Sequence, residues 1–247
     1  GQGSEFDSLR EYVAGDDVRS IDWRSTARRA DVMVRTWRPE RDRRILVVLD
    51  TGRTAAGRVA GVPRLDTSID AVQLLTALAA RAGDRIDLVA VDRQVRARVL
   101  GASRSDVLSA LTNAMAVLTA ELIESDAGLM AATVLGVARQ RCLVVLLTDL
   151  NPAAVEEGLL PMIPALVARH RLLVAAVADP RLDEMAAARG DAAAVYDAAA
   201  GERARSGRAR ISARLRQRGV GVVDAPPDRL PAALADAYLS LKAAGQL

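Results

Sequence analysis

Two of the most apolar stretches in this chain end in aspartate. Ile45 to Leu49 (ILVVL) runs into Asp50, and Cys142 to Leu147 (CLVVLL) runs into Thr148-Asp149. If both are neighbouring strands of a parallel sheet, their carboxylates project from one rim. Two such groups a few ångströms apart repel unless a cation or a proton sits between them. A hard divalent cation with oxygen ligands is the natural solution. Hydroxyls stand close by in sequence, at Thr54 four residues after Asp50 and at Ser125 in Glu124-Ser125-Asp126. The competing reading makes all four ordinary strand-end and helix-capping residues.

Little else in the chain suits bond-breaking. It has one histidine, His170, and one cysteine, Cys142. His170 falls near the end of a predicted helix, and Cys142 lies inside an apolar run, where a thiol is a small hydrophobe. Histidine-rich zinc chemistry and the usual Ser-His-Asp triad would both have to rest on that single His. A disulfide within the chain is impossible, which fits a reducing compartment. No G-x-x-x-x-G-K-[ST] phosphate loop and no G-x-S-x-G elbow occurs. Aspartate-based phosphatases need a second Asp two residues after the first, and Gly52 stands there. The chain is therefore expected not to be an enzyme.

These residues need a scaffold to bring them together. Predicted strands at Ile45–Leu49, Ile86–Val91, Cys142–Leu147, Leu172–Val177 and Val220–Val223 alternate with predicted helices. The helices run over Leu65–Ala82, Asp106–Leu118, Ala127–Arg139, Val155–Ala168, from about Arg181 onward, and Leu230–Ala243; Val95–Leu100 reads as an edge strand or hairpin partner. Pro161 and Pro164 should kink or break the fourth helix. This order implies an α/β fold with a doubly wound, mostly parallel sheet flanked by helices. In such sheets ligands sit at the carboxyl ends of the strands.

Residues 1–42 read differently from 43–247. They hold four of the six aromatics in a charge-dense arm, with a turn at 14–17, a short predicted helix through about Arg29 and a strand over Asp31–Trp37. Composition bounds the rest. Half the residues (51%) are hydrophobic, mostly Ala, Val and Leu, enough for a large aliphatic core. The formal net charge is only +3, with Lys242 the sole lysine, which argues against a dedicated nucleic-acid binder. Arg35, Arg38, Arg41, Arg43 and Arg44 surround Trp37, but Asp31, Glu40 and Asp42 interleave, as in a solvated strand and linker. The Arg-rich Gly201–Arg210 segment reads as a mobile loop or a helix start. No run of about eighteen apolar residues is present to span a membrane. The chain opens without Met or a signal peptide, and is expected to be a piece of a longer protein.

Asp50-x-Gly52-x-Thr54, Ser125 and Asp149 resemble the metal-ion-dependent adhesion site of von Willebrand factor A domains. That site has D-x-S-x-S after the first strand, a Thr from a second loop and an Asp after a later strand. Gly52 replaces the first serine and removes one hydroxyl, so the resemblance implies a degenerate Mg²⁺ site. A longer resemblance lies upstream, in Phe6–Tyr12 (FDSLREY), Gly15–Arg19, Ile21–Trp23, Thr26–Arg28, Val34-Arg35 and Glu40. It continues through RRILVVLDTGRT, RLDTSIDA and AGDRIDLVAVD. These stretches are similar to domain of unknown function 58, the MoxR-associated, von Willebrand factor A-like proteins. The resemblance covers residues 3 to about 150. It implies a MoxR-type AAA+ ATPase as partner and a chaperone-like role in assembly or maturation of a client protein. It also implies membrane helices upstream in full-length relatives, and so a place at the cytoplasmic face.

The arm has two readings of its own. Arg10, Glu11, Asp16, Asp17, Arg19, Asp22, Arg24, Arg28 and Arg29 cluster around Tyr12 and Trp23. They either dock the arm on the main domain or form a partner-binding surface, for which Arg10, Tyr12, Asp16, Asp17, Arg19, Trp23 and Arg28 are the candidates. For the strand-end aspartates three functions stay open: a metal-bridged interaction site, a metal-dependent hydrolase, and a metal-free scaffold in which Arg53 or Arg64 neutralises the carboxylates.

Overall fold

The structure, a computed structural model, describes residues 5–13, 16–28, 31–38, 43–187 and 189–247. The chain divides into two compact units, Gly1–Asp42 and Arg43–Leu247.

In the first unit, β1 (Glu5–Glu11) pairs antiparallel with β2 (Met33–Arg38). The sequence reading had no strand at β1, because its charged residues give no apolar alternation. In place of the helix expected through Arg29, a 3-10 turn spans Val18–Ser20, and α1 is four residues long (Trp23–Thr26). Asp17 caps the turn by accepting from Arg19 N, and Asp22 caps α1 by accepting from Arg24 N and Ser25 N. Of the expected 14–17 turn, residues 14 and 15 lie outside the described residues, as do Arg29, Glu40, Arg41 and Asp42.

The second unit begins with β3 (Arg44–Asp50), whose apolar run leaves both faces needing cover. After it come α2 (Arg53–Ala56), a two-residue ribbon of β4 (Arg58–Val59) and β5 (Val62–Pro63), and α3 (Arg64–Arg81). Next are β6 (Arg85–Val91), β7 (Val95–Val99), α4 (Val107–Ala116), α5 (Ala127–Val137) and β8 (Leu143–Leu147). The chain continues through α6 (Pro152–Ala154), a π-helical turn (Val155–Leu159), α7 (Leu160–Val167), β9 (Arg171–Val177), α8 (Arg181–Ala187), α9 (Ala192–Gln217), β10 (Gly221–Ala225) and α10 (Leu230–Ala243). The six-stranded sheet has the order β10-β9-β8-β3-β6-β7, parallel except for the edge hairpin of β6 with β7.

Alternation along β3 divides the core. Ile45, Val47 and Leu49 pack with α3, α4 and α10, while Leu46 and Val48 pack with α5, α7 and α9. Truncating a fully buried leucine here, as in Leu46→Ala, should cost about 2–5 kcal/mol. The connections leave β3 toward one edge of the sheet and β8 toward the other. The strand order therefore reverses between β3 and β8, which is where a crevice opens at the carboxyl edge.

Two further sequence expectations changed. Pro161 and Pro164 do not break the helix over Val155–Ala168; it opens as a wider π turn and continues as α7. Pro161 sits in the first turn, where its missing N–H costs little, and Arg218 Nη1 donates at 3.0 Å to the Leu160 carbonyl that Pro164 leaves without its helical donor. Gly201–Arg210 is neither a loop nor a helix start but lies within α9. Its two glycines are contact points: a side chain at Gly201 would meet Ala186 N at 2.7 Å, and one at Gly207 would meet Pro152 Cγ at 3.1 Å.

His170 and Cys142 lie at the opposite, amino edge of the sheet, with His170 Nδ1 3.6 Å from Cys142 Sγ. Burial pushes the thiol up to about 11, so it stays protonated and inert. Burial, aided by Arg169 and Arg141, lowers the His170 pKa from its ordinary value. The unfolded chain then takes up the proton first, so stability falls as pH drops below about 6.5 toward the lower folded value. Urea midpoints measured between pH 7.5 and 5 should decline, and His170→Leu should flatten that decline; an unchanged slope in the variant would contradict the assignment.

Candidate functional site

Register places the site residues. Leu49 pairs with Leu147 across β3 and β8, so the next residues, Asp50 and Thr148, face each other at the strand ends. Asp50 is 5% exposed, yet donors surround its carboxylate. Oδ1 accepts from Gly52 N at 2.9 Å and from Ser125 Oγ, and Oδ2 accepts from Thr148 Oγ1 at 2.6 Å. Thr54 Oγ1 stands 3.5 Å from Oδ2, a long and weak contact. An ionised carboxylate offers about four acceptor positions, and here hydroxyls and one amide fill them.

Backbone bonds hold the loop that carries Ser125. Arg53 N donates to Ile123 O at 2.8 Å, Glu121 N to Thr51 O at 2.8 Å and Asp126 N to Asp92 O at 3.0 Å. Asp92 is fully buried at the end of β6. It accepts from Thr51 Oγ1 at 3.0 Å, Gln94 N at 3.0 Å and Arg96 Nε at 2.5 Å. Burial works to raise its pKa, but Arg96 and the two other donors outweigh it and hold the carboxyl below its ordinary range.

Gly52 has a physical role that its spacing alone did not show. A Cβ there would fall on Ser125 Oγ and lie 2.9 Å from the Ile123 carbonyl. The absent side chain is what lets Ser125 reach Asp50.

Asp149, one residue beyond Thr148, is held by a different partner. Arg208 Nη1 donates to its Oδ1 at 2.6 Å, and Arg64 Nε lies 3.9 Å from the same oxygen. Arg208 also binds Asp224 in β10, through Nη2 at 2.7 Å and Nε at 3.3 Å, and donates to Val177 O at the end of β9 at 3.2 Å. Burial opposes its charge, but Asp224 and Asp149 outweigh that and raise the Arg208 pKa above its ordinary value. The sequence alone singles out neither Arg208, which lies in the segment that reads as a mobile loop or a helix start, nor Thr148 as a partner of Asp50. Thr148 could have been found by extending the strand register one step. Arg53 was one of two candidates to neutralise the aspartates, but it pairs with Glu124 instead; Arg64 lies near Asp149 as the second candidate.

A cleft of about 400 Å³ opens over this edge. Asp50, Thr54, Ser125, Thr148 and Asp149 line one side, and Met130, Leu146, Val155 and Leu159 form an apolar wall. Glu124, Glu157 and Arg53 stand among the lining residues.

The donor set does not favour a resident divalent cation: Asp50 already accepts from Gly52 N, Ser125 and Thr148, and Asp149, the motif's second carboxylate, is paired with a guanidinium.

In the arm, Arg10 forms a fork on Asp16 at 2.7 and 2.6 Å, and Asp16 also accepts from Val13 N at 3.0 Å. That pairing lowers the pKa of Asp16 and raises that of Arg10. Tyr12, Asp17, Arg19, Trp23 and Arg28 are exposed, Trp23 at 69%.

These features define a doubly wound α/β domain with a polar crevice at its topological switch point. The chain belongs to the family described as "Protein of unknown function DUF58", whose model matches residues 8–219. It is 26% identical over 188 residues to uncharacterized proteins of Mycobacterium tuberculosis and Mycobacterium bovis. The match takes in 73% of this chain and 57% of theirs, so the chain spans little more than half the length of those relatives. Among solved structures it is similar to the SpRpn10 VWA domain, with 14% identity, TM-score 0.44, and coverage of 79% of this chain and 94% of that one. It is also similar to the conserved hypothetical protein BatB of Bacteroides thetaiotaomicron, with 13% identity, TM-score 0.45, and coverage of 81% and 99%.

Restoring the serine that a full adhesion-site motif carries tests the packing. Gly52→Ser should lower stability by about 1–3 kcal/mol through overpacking. Combined with Ser125→Ala, the loss should be smaller than the sum of the single changes, read from denaturant melts as a double-mutant cycle. Strict additivity would show that the two positions do not compete for space.

Proposed function

We propose that this chain is a non-catalytic protein-interaction domain of von Willebrand factor A type, with a degenerate adhesion site. Its partner is a MoxR-type AAA+ ATPase, and the pair acts in assembly or maturation of a client protein. The single observation that carries the reading is the cleft at the switch point, polar at its floor and apolar on its wall. Such a shape suits a side chain of a docked protein, with the hydroxyls around Asp50 to read its polar end. The ATPase partner rests on the sequence resemblance. The exposed Trp23 and Tyr12, with the Arg10–Asp16 fork, supply a second candidate contact surface.

The chemistry of the cleft supports a non-catalytic role. Its lining includes no His, Cys or Lys, and the hydroxyl of Ser125 is engaged by a carboxylate rather than by an imidazole base. The described residues contain no helix long and apolar enough to cross a membrane. Placement at the cytoplasmic face, with anchoring segments upstream, belongs to the same proposal.

Filling the cleft tests it. Ala154 lines the cleft and is exposed, so Ala154→Trp should fold with an unchanged melting temperature. It should weaken capture of a MoxR-type ATPase by at least about tenfold, which corresponds to 1.4 kcal/mol. Undiminished binding by the folded variant would move the contact elsewhere, and Trp23→Ala would then be the next surface to measure.

A further inference from the structure

We propose that Arg208 is the built-in cation of the switch point, replacing the divalent metal that the sequence motif suggests, so that the site works without one. Three observations carry this. Arg208 spans three strand ends at once: Asp149 after β8, Val177 in β9 and Asp224 in β10. Its side chain is only 12% exposed and that of Asp149 only 10%, so the pair faces little competition from water. Arg64 brings a second guanidinium to within 3.9 Å of Asp149. A dication beside these two groups would meet like charge where the motif requires a free carboxylate.

The helix that delivers Arg208 is built for the purpose. Gly207, the preceding residue, is buried, and the space where its side chain would stand is closed by Pro152 at 3.1 Å. That close approach brings α9 down on the segment just after Asp149. Asp224 then fixes the guanidinium plane through two donors, leaving Nη1 for Asp149. Pairing with Asp224 and Asp149 outweighs the cost of burial and keeps Arg208 charged at every pH at which the protein folds. The remaining carboxylate, Asp50, needs no metal either, because Gly52 N, Ser125 and Thr148 supply its donors.

This inference concerns the chain alone and does not depend on which partner docks. Its test is thermal melting and calorimetric titration with Mg²⁺ and Mn²⁺, against a chelator control. The wild-type protein should show no metal-dependent rise in melting temperature at about 5 mM cation, and no binding heat. Arg208→Gln and Arg208→Met should melt lower in chelator and regain several degrees with Mn²⁺, because Asp149 and Asp224 are then left as uncompensated carboxylates. Adding Asp149→Asn to either variant should abolish the regain. If the Arg208 variants do not fold, Asp224→Asn loosens the clasp more gently and should gain a weaker metal response. A metal-dependent shift in the wild-type protein would overturn the proposal. So would a folded Arg208 or Asp224 variant that stays indifferent to both cations.

Discussion

One guanidinium ties together half of the carboxyl edge of the sheet. Arg208 reaches from α9 to the ends of β8, β9 and β10, and it holds Asp149 there. A buried ion pair is stabilising only when its geometry is good and its remaining donors are met. Here every nitrogen of the guanidinium finds an oxygen, so the desolvation of three charged groups is offset by hydrogen bonds as well as by attraction. Elements far apart in sequence thus meet at one side chain.

The second organising feature is the basin of hydroxyls around Asp50. Thr148 comes from the neighbouring strand, Thr54 from the short helix that follows β3, and Ser125 from a loop tied by backbone bonds to Thr51, Arg53 and Asp92. Because Gly52 lacks a side chain, the loop can close over the carboxylate. The result is a satisfied acid at the floor of a cleft, ready to orient a visiting polar group and poorly suited to attack one. The apolar wall from α5 and the π turn gives that visitor somewhere to bury its stem. A π turn beside a crevice is a common feature of functional sites.

Much of the fold could be read directly. Short continuous apolar runs at Ile45–Leu49 and Leu172–Val177 read as strands covered on both faces, and the helices between them imply a parallel, doubly wound sheet. The carboxyl-edge rule then selected Asp50 and Asp149 without coordinates. What the sequence hid was longer in range. Nothing local marks Arg208 among the many arginines of α9, and its partners lie 59 and 16 residues away. Gly52 read as a lost ligand because spacing counts residues and not the space they fill. The β1 strand escapes such a reading because Glu5, Asp7, Arg10 and Glu11 leave its sequence without apolar alternation.

A switch point neutralised by Arg208 has no place for a divalent ion in this cleft. Mn²⁺ broadens nuclear resonances near it, and Met130 lines the same cleft as Asp50. In methyl-labelled protein titrated with Mn²⁺, the Met130 resonance should keep its width through a molar excess of the ion. Selective broadening of Met130 at equimolar Mn²⁺ would place a metal at the switch point and contradict the account.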